Sequence, residues 1–400
     1  MANKNTLWCK RGLFERKSEI RYSSTQIENP YGQTQAIFFK GEPYKNADTY
    51  NFAFLGFPNM PMPNGGYPAV VLMHGGGGYA DHKWVEYWNS KGYAAIATDF
   101  YGNEYGKLYG EKICNPLASQ HSAAGSFKST KEDFSDSWAY HSVANIILAF
   151  NVLRDSGKVD TSKIALTGIS WGSVLTCITS GVDQRFSAFV PVYGGGYIYD
   201  TKSFKDNPTS VGMENLDEWI EYYDPKSYLP YNDKPTMFTF GADECCFSTI
   251  YNTLSASLVK GKVTFAVKES LFHDMRWRDD DEFCHIAKYL DYVMLGKKMP
   301  FEVIEEQIVS NVLTVKVDNA SNVKNAKLVY TTEEYKDNQT TEWKWQSFSA
   351  DFDGEKYFAK IPKDATVCYM EFSDSVGEEN KMTEFIQSSK PCLLKKVEIK

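Results

Sequence analysis

Two hydrophobic rhythms alternate along the first 300 residues. Short continuous apolar runs, such as Pro68 to Met73 (PAVVLM) and Tyr93 to Phe100 (YAAIATDF), predict strands buried on both faces. Thr49 to Phe57, Lys163 to Thr167, Phe186 to Tyr193, Pro235 to Phe240 and Lys262 to Val267 carry the same signal. Between them, Asp81 to Ser90 places Trp84, Tyr87 and Trp88 on one helical face. Asp136 to Arg154, Trp171 to Ser180, Thr249 to Val259 and Asp281 to Leu295 are predicted helices as well. Strands separated by helices imply a mostly parallel, open α/β sheet. Two stretches, 101–130 and 194–233, follow neither period and are expected as irregular inserts.

The rhythm changes after Pro300. Short, β-branched, alternating segments follow: Val312 to Val317, Lys327 to Thr332, Thr341 to Phe348, Lys356 to Ile361 and Ala365 to Phe372. Turn signals such as Asp353-Gly354 separate them. This predicts a small antiparallel β-sandwich. The expected organisation is an α/β domain over 1–300 and a β-sandwich over 301–400.

Composition narrows the class. The 400 residues carry a net charge of −8, which argues against a nucleic-acid or membrane-surface partner. No apolar run approaches the ~20 residues of a membrane helix, and the first residues lack the apolar core of a secretion signal. A cytoplasmic location is therefore expected. The eight cysteines show no Cys-x-x-Cys or other metal spacing, so reduced, mostly buried thiols are expected. Aromatic residues reach 15% and suit either a core or a binding surface. Self-association is left open.

The chemistry starts at Gly168-Ile169-Ser170-Trp171-Gly172, which follows a predicted strand and opens a predicted helix. A Gly-x-Ser-x-Gly pentapeptide there is where a nucleophile elbow must sit. The competing reading makes Ser170 a plain helix cap. His74-Gly75-Gly76-Gly77-Gly78 ends an earlier buried strand. Its bare backbone suits half of an oxyanion hole, with the Trp171 N–H as one donor and a Gly76 or Gly77 N–H as the other. A phosphate cradle is disfavoured because the Gly-x-x-x-x-Gly-Lys-Ser/Thr pattern is missing.

A serine nucleophile needs a base and a carboxylate to orient it, in the chain order Ser, acid, His. Only His273 and His285 follow Ser170. His285 falls mid-helix, whereas His273 falls in a loop after the last α/β strand, so His273 is the expected base. After PTMFTF, Gly241-Ala242-Asp243-Glu244 offers two acids, and only one should reach the His. His82, His121 and His141 lack metal-pair spacing; His121 lies in the first insert, which is expected to border the pocket, and so is a lesser substrate-contact candidate. No metal or organic cofactor is called for.

These motifs, in this order over roughly 35–296, resemble the α/β-hydrolase superfamily. HGGGGYADHKWVEYWNSKGYAAIATD, TGISWGSVLTCITSGVDQRFSAFVPVYG and the FHDM loop are similar to the bacterial acetylxylan esterase and dienelactone hydrolase-like group. In that group the acid stands three residues after the Gly that ends its strand. The resemblance thus favours Glu244 over Asp243, although the group usually has Asp there. Dienelactone hydrolases proper use a Cys nucleophile; Ser170 points instead to esterase chemistry. The tail resembles the fibronectin type III-like appendages of some of these esterases.

The resemblance implies a serine esterase acting through an acyl-enzyme. An acetylated saccharide, a small-molecule or oligosaccharide ester, is the first substrate expectation. A general carboxylesterase comes second and a prolyl-oligopeptidase-like peptidase third; a non-catalytic binding protein stands outside the enzyme class. Tyr101, Tyr105, Tyr109, Tyr197, Trp219, Tyr222, Tyr223 and Trp277 are sugar-stacking candidates, most of them better read as packing within the inserts. Trp343 and Trp345 share one face of the tail.

Overall fold

The computed structural model describes residues 6–9, 12–105, 112–118, 134–198, 216–244, 246–271, 273, 284–334, 343–374 and 385–395. The central strands are β1 (Ile20–Ile27), β2 (Gly32–Lys40), β3 (Tyr50–Pro58), β4 (Tyr67–Met73) and β5 (Ala94–Thr98). A short hairpin, β6 (Asn103–Tyr105) and β7 (Lys112–Cys114), follows in the first insert. β8 (Val159–Ile169), β9 (Ala188–Val192), β10 (Thr236–Gly241) and β11 (Val263–Lys268) complete the α/β part. The sheet order is β1-β2-β3-β5-β4-β8-β9-β10-β11. The strands from β5 to β11 in that order are parallel, and β1, β2 and β3 are antiparallel. This is the mostly parallel, open α/β sheet that the pattern predicts, and the α/β-hydrolase architecture that the motif resemblance implies.

Helices cover both faces, which is why β4, β5, β9 and β10 are buried at every position. Val70 and Leu72 of β4 face a cluster that includes Trp84, Val85 and Trp88 of the helix His82–Ser90. Ala69, Val71 and Met73 face the opposite cluster, with the helices Trp138–Asp155 and Trp171–Val182. The helix Trp138–Asp155 is buried almost all round. A helix of that kind needs cover on its outer side. The N-terminal segment supplies it: Trp8 stacks on Tyr140 at 5.8 Å, and Asn151 and Arg154 donate to the carbonyls of Leu13, Phe14 and Arg16.

The tail contains β12 (Glu302–Val309), β13 (Val312–Asp318), β14 (Asn325–Thr331), β15 (Trp345–Ser349), β16 (Asp351–Phe352), β17 (Lys356–Lys360), β18 (Val367–Ser373), β19 (Ile386–Ser388) and β20 (Cys392–Leu393). One sheet runs β12-β13-β17-β16. The other, β19-β18-β14-β15, continues the central sheet, because β19 pairs antiparallel with β11 at Phe265 and Ser388. Pattern reading did not anticipate that join. It covers the far edge of the parallel sheet, which otherwise presents unpaired backbone groups. The apolar residues of the tail accordingly belong to the same cluster as Phe238, Phe265 and Ile286.

The 194–233 insert is more regular than expected. It holds a helix, Leu216–Tyr223, and two 3-10 turns. Buried Asp224 ties it down by accepting the backbone N–H groups of Tyr197, Ile198 and Lys226. Among the described residues, no helix is long and apolar enough to cross a membrane.

Candidate active site

Strand β8 ends at Ile169, and the next residue turns sharply. Ser170 has φ 52° and ψ −116°, a left-handed conformation that glycine normally occupies. Its N–H donates to Val192 O, and its carbonyl accepts from Ser173 and Val174 to start the following helix. The flanking glycines make room for this turn. A Cβ on Gly168 would lie 2.3 Å from the Gly172 oxygen, and one on Gly172 would lie 2.3 Å from the Met73 oxygen. The Ser170 side chain makes no capping hydrogen bond, so the helix-cap reading fails. Its Oγ instead lies 2.8 Å from His273 Nε2.

His273 Nδ1 lies 2.8 Å from Glu244 Oε1. The same oxygen accepts the N–H groups of Cys246 at 2.8 Å and Phe247 at 3.3 Å. Glu244 is buried, with its side chain at 0% exposure. Asp243 points elsewhere. It is exposed, and its carboxylate accepts from Ser270 Oγ at 2.6 Å and Leu271 N at 3.1 Å. Strand-end neighbours diverge, so one acid faces the His while the other ties down the loop that carries it.

The Gly-rich turn sits against the elbow. Gly78 N donates to Gly75 O, closing a turn with Gly77 at φ +69°. A Cβ on Gly75 would lie 3.2 Å from Ser170 Cβ, and one on Gly76 would lie 2.6 Å from Trp171 Cδ1. Only bare backbone can come that close. The Trp171 amide lies in the first helical turn, where N–H groups have no acceptor within the helix. Burial and Asp99 push the Tyr101 phenol pKa up, while a hydrogen bond with the Gly77 backbone pulls it the other way. The turn is anchored from below. His74 stacks on Phe100 at 3.9 Å, with Nδ1 2.8 Å from Gly75 O and Nε2 3.4 Å from Asp99.

Sequence reasoning missed two rings that hold the imidazole. Tyr193 lies 4.5 Å from His273, centroid to centroid, and Phe247 lies 6.4 Å away. Tyr193 follows β9 at φ 38°, just before Gly194-Gly195-Gly196. That glycine run was the available signal of a tight turn. The other candidates take the following places. His285 is buried, 2.9 Å from Thr239 Oγ1. His82 packs against Phe54 and Tyr105, and His141 is buried on its helix. Trp219 and Tyr223 are buried inside the insert, whereas Tyr197 and Tyr222 are half-buried. Trp343 and Trp345 are half-buried neighbours at 6.0 Å. His121, Tyr109 and Trp277 fall outside the described residues.

A dienelactone hydrolase family model matches residues 53–218. No curated protein sequence matches the chain. Among solved structures, it is similar to an acetyl xylan esterase from Paenibacillus sp. R4, with 16% identity and a TM-score of 0.53, over 72% of this chain and 95% of that one. Acetyl xylan esterase 1 from Thermoanaerobacterium sp. JW/SL YS485 gives 16% and 0.53, over 74% and 93%. The Pyrococcus horikoshii acylaminoacyl peptidase gives 14% and 0.50, over 67% of this chain but 43% of that one. At such identities these likenesses speak for the fold. Fold and family match together define an α/β-hydrolase of the serine-hydrolase type.

Proposed function

We propose that the chain is a serine esterase whose nucleophile, base and acid are Ser170, His273 and Glu244. The observation that carries this reading is the chain of two 2.8 Å contacts, Ser170 Oγ to His273 Nε2 and His273 Nδ1 to Glu244 Oε1, at a strained strand-to-helix turn. His273 takes the Ser170 proton as Oγ attacks the ester carbonyl. Glu244 holds the ring with its Nδ1 hydrogen inward and offsets the charge of the imidazolium. The oxyanion rests on the Trp171 N–H and on an N–H of the Gly-rich turn. Gly76 or Gly77 supplies that second donor. The alcohol leaves with the His273 proton, and water activated by the same ring releases the acid. Gly76→Ala is expected to lower kcat by about 10²-fold, since the new Cβ collides with Trp171 and displaces a donor. Stopped-flow acylation of the variant checks this.

The proposed substrate is an acetyl ester of a saccharide. The motif resemblance supports it, as does the likeness to proteins called acetyl xylan esterases. The remaining parts of this reading are a division at 300/301, a fibronectin type III-like tail and a cytoplasmic setting. The test is hydrolysis of 4-nitrophenyl acetate, butyrate and octanoate beside acetylated xylo-oligosaccharide. A short acyl pocket rejects added methylenes, so acetate should exceed octanoate in kcat/KM by about tenfold or more. Octanoate preference would move the reading to a general carboxylesterase. Turnover of acyl-peptides alone would move it to a peptidase.

A further inference from the structure

A thiol that takes no part in the proposed hydrolysis lies beside the Ser170–His273–Glu244 chain. Ligand atoms of Cys246, His273 and Glu244 all lie within 4.8 Å of one another. A second feature points the same way: Glu244 Oε2 is buried and has no hydrogen-bond partner among the described residues. A buried carboxylate oxygen without a donor is costly, and a cation satisfies it. Thiolate, imidazole and carboxylate are the donor types that zinc takes. Zinc bonds of about 2.0–2.3 Å place tetrahedral ligand atoms roughly 3.3–3.8 Å apart, so the longest separation closes by no more than about 1.5 Å and the 2.8 Å His273–Glu244 pair opens by about 0.5 Å.

We propose that Glu244, Cys246 and His273 form a site for Zn²⁺ that switches the hydrolase off. The metal takes the Glu244 carboxylate, the Cys246 sulfur and His273 Nδ1, with water in the fourth position. Cys246 releases its thiol proton to solvent, and the His273 hydrogen passes from Nδ1 to Nε2. Two positive charges on the metal then meet one thiolate and one carboxylate, so the closed site is neutral. Nothing is oxidised or reduced. Nε2, which must accept the Ser170 proton, now carries a hydrogen, so the nucleophile loses its base. The switching half of the proposal rests on the function proposed above; the binding half does not.

Cobalt(II) titration reads the binding half directly, because a thiolate bound to Co²⁺ gives a near-ultraviolet charge-transfer band. The band is expected in the wild type, in Ser170→Ala and in Cys245→Ser, and should vanish on adding Zn²⁺. Cys246→Ser should lack it. That variant keeps the backbone N–H that holds Glu244, and its inhibition by zinc is read against its own rate without metal. Its half-inhibiting zinc concentration should rise by at least about tenfold, because losing even an outer partner costs a metal site that much. No band in the wild type, a band that survives in Cys246→Ser, or equal zinc sensitivity of the two would overturn the proposal. A band on a wild type that hydrolyses no ester would leave the metal site standing and remove the esterase reading.

Discussion

Ser170→Ala is expected to lower turnover of 4-nitrophenyl acetate by roughly 10⁴–10⁶-fold, because nucleophile, base and acid of the proposed triad act as a unit. Residual rate should come from the oxyanion donors and binding alone. The variant should also lose covalent labelling by a fluorophosphonate, with the adduct in the wild type mapping to Ser170. Stability separates this loss from misfolding. Ser170 stands at φ 52°, and conformations of this sort cost of order 1–3 kcal/mol for a residue with a Cβ. Alanine keeps that strain, so Ser170→Ala should melt with the wild type. Glycine relieves it, less roughly 0.5–1 kcal/mol for its freer unfolded chain. Ser170→Gly should therefore be as inactive as the alanine variant yet melt higher by roughly 1–2 °C. A glycine variant that melts lower would remove the strain argument, and an active alanine variant would remove the nucleophile.

The central fold was legible because its strands are buried on both faces and its helices are amphipathic. β4 as YPAVVLM and β5 as AAIAT advertise themselves. β2 was missed although its burial alternates cleanly at its start, because the polar half of GQTQ masks the period in so short a run. The cover of the helix Trp138–Asp155 was illegible for a different reason. It is made by side chains donating to main-chain carbonyls of residues 13–16, and carbonyls leave no trace in sequence. The join of β19 to β11 was hidden likewise, since backbone pairing carries the contact. The pairing of Ser170 with His273, which the structure brings to 2.8 Å, was legible because motif and chain order single them out. Choosing between Asp243 and Glu244 required the direction in which each side chain leaves the strand. Cys246 beside the imidazole needed coordinates, since the loop between Glu244 and the helix Thr249–Leu258 has no period.

The two acids should separate most clearly when each is cut back to alanine. Glu244→Ala removes the acceptor of His273 Nδ1 and of two backbone N–H groups, and is expected to lower kcat by about 10⁴-fold. Glu244→Gln should be milder than a wrong-tautomer variant. Three donors converge on Oε1, so they hold the amide oxygen there and keep the Nδ1 hydrogen in place; the NH₂ falls at the Oε2 position, which has no partner. What is lost is the charge that offsets the imidazolium, and the expected cost is about 10²–10³-fold, within the range of a disabled proton transfer. Asp243→Ala breaks contacts to Ser270 and Leu271, three and two residues before the His in sequence. Each bond is worth about 1 kcal/mol net, so the loop loosens and kcat should fall by no more than about tenfold. Asp243→Asn can accept from Leu271 and donate to Ser270, and should be nearly silent. Burst kinetics with 4-nitrophenyl acetate measure acylation in all four variants. The ordering Glu244→Ala, Glu244→Gln, Asp243→Ala, Asp243→Asn follows from which atoms each carboxylate holds. If Asp243→Ala lost more than Glu244→Gln, the loop that positions the base would matter more than the charge behind it, and Asp243 would have to be given the larger part in placing His273.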